Sequence, residues 1–152
     1  MLYFLKTRFG GQLRQNPFKS NQQVSTLWRK TMPLKTLAEL VAEAKANVGH
    51  ISTDELTETE ESVIIIDVRD EPDYDEEHLP NAVSLPRGYL ELDIDEIVSD
   101  AETHIVTYCG GGTRATLSAH TLKNMGYENV SVLTGGFRGW KAEGLPTEAS
   151  EE

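Results

Sequence analysis

The sequence predicts an α/β domain of three layers: a central parallel sheet of about five short strands, helices on both faces, and an additional N-terminal packing helix. Three observations carry that expectation. Short apolar runs alternate with helical patterns along the chain. Val63-Ile64-Ile65-Ile66-Asp67-Val68 is a continuous, mostly β-branched run without polar alternation, as a strand buried on both faces requires. His104-Ile105-Val106-Thr107-Tyr108 runs directly into Cys109-Gly110-Gly111-Gly112-Thr113-Arg114, and a helical pattern follows at once. In such folds the ligand sits beyond the carboxyl ends of the strands.

In chain order, Leu34, Leu37, Leu40, Val41 and Ala44 repeat at helical spacing, with Glu39, Glu43 and Lys45 between them. Residues 34–47 therefore read as a helix packed on a core of residues 48–146, with Gly49 as its stop. Ile51 closes a short strand. Ser52 followed by Glu55 has the spacing of a capping box and opens a helix. After the 63–68 strand, Ala82-Val83-Ser84-Leu85 is a shorter strand bounded by Pro80 and Pro86. Thr113 to Met125 is a helix with Ala115, Ala119, Leu122 and Met125 on one face and Gly126 as its C-cap. Val130 to Leu133 is a strand. Gly135-Gly136 turns the chain into a last helix around Phe137 to Ala142, which Gly144 and Pro146 terminate.

Charge divides the 152 residues unevenly. The net charge is -11, yet residues 1–38 carry seven of the 14 Lys and Arg and no acid. All 25 Asp and Glu fall after them, which argues against nucleic acid as a partner, because phosphate binding needs clustered positive charge. Composition gives a flexible basic extension over 1–31, a single domain over 32–148 and an acidic tail over 149–152. The extension has three readings: an organellar transit peptide, a basic arm that touches a partner, or an upstream addition with no function. Met32-Pro33-Leu34 looks like a natural start and favours the last. No apolar run approaches the roughly 20 residues of a membrane span. A single cysteine excludes an internal disulfide and fits the reducing cytoplasm, with organellar import the alternative if 1–31 is a transit peptide.

Cys109 is the candidate nucleophile. Three glycines let the backbone curl and turn its N–H groups inward. A helix N-terminus and Arg114 add positive charge, which favours the nucleophilic thiolate. The competing reading is a buried structural cysteine, and the flanking Gly110, Gly111, Gly112 and Arg114 speak against it.

Four motifs in order, from Ile51 to Pro146, resemble the single-domain rhodaneses, a sulfurtransferase family. They are Asp67-Val68-Arg69; Tyr74 with His78-Leu79-Pro80-Asn81-Ala82-Val83-Ser84-Leu85-Pro86; the Tyr108–Arg114 loop; and Gly135-Gly136-Phe137 with Trp140 and Leu145-Pro146. Two positions depart from the family pattern: Glu77 stands before His78, and Asn81 after Pro80, where the family usually has glycine. The resemblance implies that Cys109 takes the outer sulfur of a small donor such as thiosulfate, carries it as a persulfide and passes it to an acceptor. It implies that the amides of Gly110, Gly111, Gly112, Thr113 and Arg114 stabilise the anionic sulfur. Arg114 and the Thr113 hydroxyl would bind the donor's sulfonate. No metal or organic cofactor is implied, and the partners are the donor and, as an alternative acceptor, a protein thiol.

Loop length separates this chemistry from that of the tyrosine phosphatases, which place five residues between cysteine and arginine. Here four residues lie between Cys109 and Arg114, and Ala115 follows. Such a ring suits a sulfur-sized group. Arg69, Arg87 and Asp67 are second-sphere candidates, with ordinary readings as a carboxylate-paired arginine, a solvated loop arginine and a structural hydrogen-bond acceptor. His78 reads as packing, Phe137 and Trp140 as core, and His50, His104 and His120 as too scattered for a metal site. Two other classes compete with the enzyme: a sulfur relay acting with a protein partner, and a non-catalytic regulatory domain, which the intact cysteine loop disfavours.

Overall fold

The computed structural model describes residues 34–59 and 62–150, and its elements all lie in a compact unit that begins at Thr36. In chain order they are α1 (Leu37–Lys45), β1 (Gly49–Ile51), α2 (Thr53–Glu58), β2 (Val63–Asp67), α3 (Glu71–Glu76) and β3 (Val83–Ser84). A 3-10 turn (Arg87–Tyr89), α4 (Leu90–Ile97), β4 (His104–Tyr108), α5 (Thr113–Met125), β5 (Val130–Leu133) and α6 (Gly136–Ala142) follow. The five strands form one parallel sheet in the order β1-β5-β4-β2-β3, which is the expected α/β fold. The basic segment 1–31 and the tail residues Glu151 and Glu152 lie outside the described residues.

Two apolar cores lie on opposite faces of the sheet. Successive β4 side chains point to opposite faces, so Ile105 and Cys109 join one core while Val106 and Tyr108 join the other. The first is closed by Leu90 and Ile94 of α4 and by Ala115, Ala119 and Leu122 of α5. Leu56 of α2 and Phe137 and Trp140 of α6 close the second. Central β4 is paired on both edges, and Ile105, Val106 and Tyr108 are fully buried. The chain leaves β2 toward β3 on one side and β4 toward β5 on the other. The loops after β2 and β4 therefore diverge, leaving the crevice in which open α/β sheets bind ligands.

The N-terminal helix differs from expectation. It runs Leu37–Lys45 rather than 34–47, because a Thr36–Glu39 capping box sets its start. It lies against α5 with Ala44 buried and Val41 half-buried, while Leu37 and Leu40 are exposed. Of the expected apolar face, Val41 and Ala44 are covered and the leucines are not. Gly49 is not its stop: it opens β1, where a Cβ would stand 2.7 Å from the Ser131 hydroxyl. On α5, Met125 is exposed while the rest of its expected face is buried. Helices α3 and α4 had no counterpart in the sequence reading. The first buries no residue, so it has no apolar period, and the second buries only Leu90 and Ile94 among its acids.

The two departures at Glu77 and Asn81 have different explanations. Asn81 adopts φ 60, the left-handed conformation that Asn tolerates well. Glu77 is extended at φ -168, which any residue adopts. Its carboxylate accepts from Lys141 and, at 2.7 Å, from the Thr147 hydroxyl, tying the start of the His78 segment to α6.

Candidate active site

The loop after β4 wraps the sulfur of Cys109, a residue only 2 % exposed. The Gly112 amide donates to Sγ at 3.1 Å and the Ala115 amide at 3.4 Å. Gly112 is the N-cap of α5 at φ 104, a left-handed conformation that glycine adopts without cost. Ala115 is the third residue of that helix, where an amide has no intrahelical acceptor. The sulfur thus occupies the anion position of a helix N-terminus.

The carbonyls of the same loop are held by α6. The Cys109 oxygen accepts from the Phe137 amide at 2.8 Å, and the Gly110 oxygen accepts from the Arg138 amide at 3.2 Å. Gly136 makes this approach feasible. It sits at φ 58, and a Cβ there would collide with the Cys109 carbonyl oxygen.

A buried ion pair supports the floor. Asp67, fully buried at the end of β2, accepts from the Arg69 guanidinium in a bidentate contact, with Nη2 to Oδ2 at 2.6 Å. Arg69 also donates to the Glu77 carbonyl and stacks over Phe137 and Tyr108, at 4.2 and 5.7 Å from their ring centroids. Burial alone would lower the Arg69 pKa, but Asp67 prevails and holds it above the ordinary value. Burial, with the Asp67 carboxylate second, pushes the Tyr108 phenol far up. Its oxygen accepts from the Leu79 amide, so Tyr108 is neutral packing beneath the loop.

An open cavity of about 250 Å³ lies above the sulfur, lined by Cys109, Gly110, Gly111, Thr113, Arg114 and Arg138. Arg114 reaches across the crevice to Asp70, with Nη1 at 3.2 Å from Oδ2. A second cavity of about 150 Å³ shares Gly111 and Thr113 with the first and opens toward Lys45 and His50.

Of the candidates read from sequence, Cys109, Gly110, Gly111, Gly112, Thr113 and Arg114 converge. Arg69 and Asp67 stand beneath them. Arg87 lies apart: it donates to Glu91 and to the Thr121 hydroxyl at 3.1 Å, and it does not line the cavity. His78 is packed, with Nδ1 2.8 Å from the Tyr74 carbonyl oxygen and its ring stacked on Tyr74. Among the described residues, no group of three or more His, Cys, Asp or Glu side chains is placed to hold a metal.

Two participants escaped the sequence reading. The Ala115 amide was legible in principle, because a helix starting at Thr113 puts its third amide there. Arg138 had no local signal, since it reaches the loop only through the close approach that Gly136 permits.

A family model described as a rhodanese-like domain matches residues 52–143. The thiosulfate sulfurtransferase GlpE of Coxiella burnetii (strain RSA 331) is 32% identical over 104 residues, covering 68% of this chain and 94% of that protein. "Putative sulfur carrier protein YrkF" of Bacillus subtilis is 32% identical over 83 residues, 55% of this chain and 44% of its own length. The chain thus spans nearly all of one relative and less than half of the other. A solved structure from Rhodopseudomonas palustris, described as of unknown function and "Possible Tyrosine Phosphatase", superposes with a TM-score of 0.69 at 29% identity. It covers 77% of this chain and 99% of that one.

Proposed function

The chain belongs to the rhodanese-like domain family, and from that premise we propose that it is a sulfurtransferase working through a Cys109 persulfide. The observation that carries this reading is the pair of amides, from Gly112 and Ala115, that donate to the Cys109 sulfur at the N-terminus of α5. The thiolate attacks the outer sulfur of thiosulfate. A bond forms between Sγ and that sulfur, and the sulfur–sulfonate bond breaks with its electron pair leaving on sulfite. The outer sulfur of the persulfide then carries the negative charge, inside a ring of backbone donors. Cyanide or a thiolate attacks that outer sulfur, and the electron pair returns to Sγ.

Phosphoryl transfer is the poorer reading of the same loop. Only four residues separate Cys109 from Arg114, and the Ala115 amide already closes the ring on the sulfur. A protein that delivers or receives the sulfur would use the same ring, and slow thiosulfate turnover with fast transfer to a protein thiol would identify such a relay. We assign the activity to the domain of residues 32–148, with 1–31 and 149–152 as extensions. A reducing cytoplasm suits a thiol that must be regenerated at each turnover. Among the described residues no helix is long and apolar enough to cross a membrane.

The test is thiocyanate formation from thiosulfate and cyanide by the native chain and by Cys109→Ser. Turnover by the first and none by the second is expected. Turnover retained by Cys109→Ser overturns the reading.

A further inference from the structure

We propose that Arg138, more than Arg114, is the cation that binds the anionic head of the donor, and that it selects donors whose head leaves as a dianion. The inference rests on the sulfurtransferase reading and extends it to a residue outside the Cys109–Arg114 loop.

Four arginines lie among the described residues, and three are engaged. Arg69 is buried on Asp67. Arg87 is held by Glu91 and Thr121. Arg114 shares its charge with Asp70. Arg138 is exposed, and its guanidinium has no hydrogen-bond or ion-pair partner among the described residues. Yet it stands in a chain of net charge -11, where a carboxylate partner is the ordinary outcome.

Its position is built rather than incidental. The Arg138 amide is bonded to the Gly110 carbonyl, so its backbone is clamped to the loop that holds the sulfur. Its side chain lies over Gly111, where a Cβ would collide with Nη2. With Arg114 and Thr113 it walls the cavity above Cys109. A donor that presents its outer sulfur to Sγ leaves its charged head in that cavity, beside the unpaired guanidinium.

The chemistry makes this charge count most as the bond breaks. Thiosulfate gives up its outer sulfur and leaves as sulfite, so negative charge grows on the head in the transition state. A cation placed there stabilises the transition state more than the bound donor. Methanethiosulfonate anion undergoes the same exchange, with its sulfur–sulfur bond broken and the electron pair leaving on methanesulfinate, a monoanion. Its head carries one charge fewer both when bound and when leaving, so the total attraction to Arg138, measured from free donor to transition state at subsaturating donor, is weaker.

The test is single-turnover persulfide formation with thiosulfate and with methanethiosulfonate, in the native chain, Arg138→Ala, Arg138→Lys and Arg114→Ala. Losing a charge-assisted contact predicts that Arg138→Ala slows thiosulfate about tenfold or more and methanethiosulfonate no more than about threefold. Arg138→Lys should recover most of the loss, and Arg114→Ala should cost less than Arg138→Ala. Equal losses with both donors, or a larger loss from Arg114→Ala, overturn the proposal. Calorimetric titration of Cys109→Ser with thiosulfate needs no turnover and separates the two readings. About tenfold weaker binding on adding Arg138→Ala supports the anion site even if the native chain forms no persulfide, a failure that would count against the sulfurtransferase reading alone. Unchanged affinity overturns the role of Arg138 whatever the native chain does.

Discussion

The Phe137 amide donates to the Cys109 carbonyl at 2.8 Å, and this bond holds the carbonyl of the nucleophile on α6 while the Gly112 and Ala115 amides donate to its sulfur. The approach depends on Gly136, which sits at φ 58 with the Cys109 oxygen where a Cβ would stand. Gly136→Ala is therefore expected to cost roughly 1–3 kcal/mol through strain and clash, and to lower sulfur transfer further than the stability loss accounts for. Urea unfolding and thiocyanate assays on one preparation check both. Native activity in a folded Gly136→Ala protein would contradict this role.

The Asp67–Arg69 pair acts on the fold. Arg69→Met leaves a fully buried carboxylate without its counter-ion and should destabilise the domain by about 3–5 kcal/mol. The urea midpoint reads it. A shift of under about 1 kcal/mol would show that the pair is not the brace described here.

Arg87 offers the opposite expectation. Its partners are Glu91 and Thr121, outside the cavity, and the ion pair is partly exposed. Arg87→Ala should leave thiosulfate turnover unchanged and cost no more than about 1 kcal/mol. A selective fall in turnover would place Arg87 at the site mouth after all.

Glu77 supplies a pH test. The hydrogen bond from Lys141, and then that from Thr147, hold its carboxyl below the ordinary range. A carboxyl lowered on folding contributes stability that is present above its unfolded pKa and lost as pH falls through its folded one. The melting temperature of Glu77→Gln should therefore fall below that of the native chain at neutral pH, and the gap should close under acid. A gap independent of pH would show that charge plays no part.

Much of the site was legible because its signals are local. The 113–125 helix, its Gly126 cap and the Cys109 loop each follow from neighbouring residues, as does the Ser52–Glu55 capping box. What was missed depends on tertiary contact. Of the apolar face expected for α1, Ala44 is buried and Val41 half-buried while Leu37 and Leu40 are exposed, and periodicity alone does not say how far round the helix the packing extends. The engagement of Arg114 with Asp70, and the lack of a partner for the Arg138 guanidinium among the described residues, are likewise set by elements distant in sequence. The motif pointed to Arg114 and passed over Arg138, because only tertiary contact shows Arg114 on Asp70 and Arg138 at the cavity wall.

The central claim is that sulfur is carried on Cys109. Intact mass of the native chain after thiosulfate, and again after cyanide, measures it most directly, since no other thiol is present. The account predicts a gain of one sulfur atom that cyanide removes as thiocyanate, and no gain in Cys109→Ser. A native chain that gains no sulfur, or a Cys109→Ser protein that still does, would contradict it.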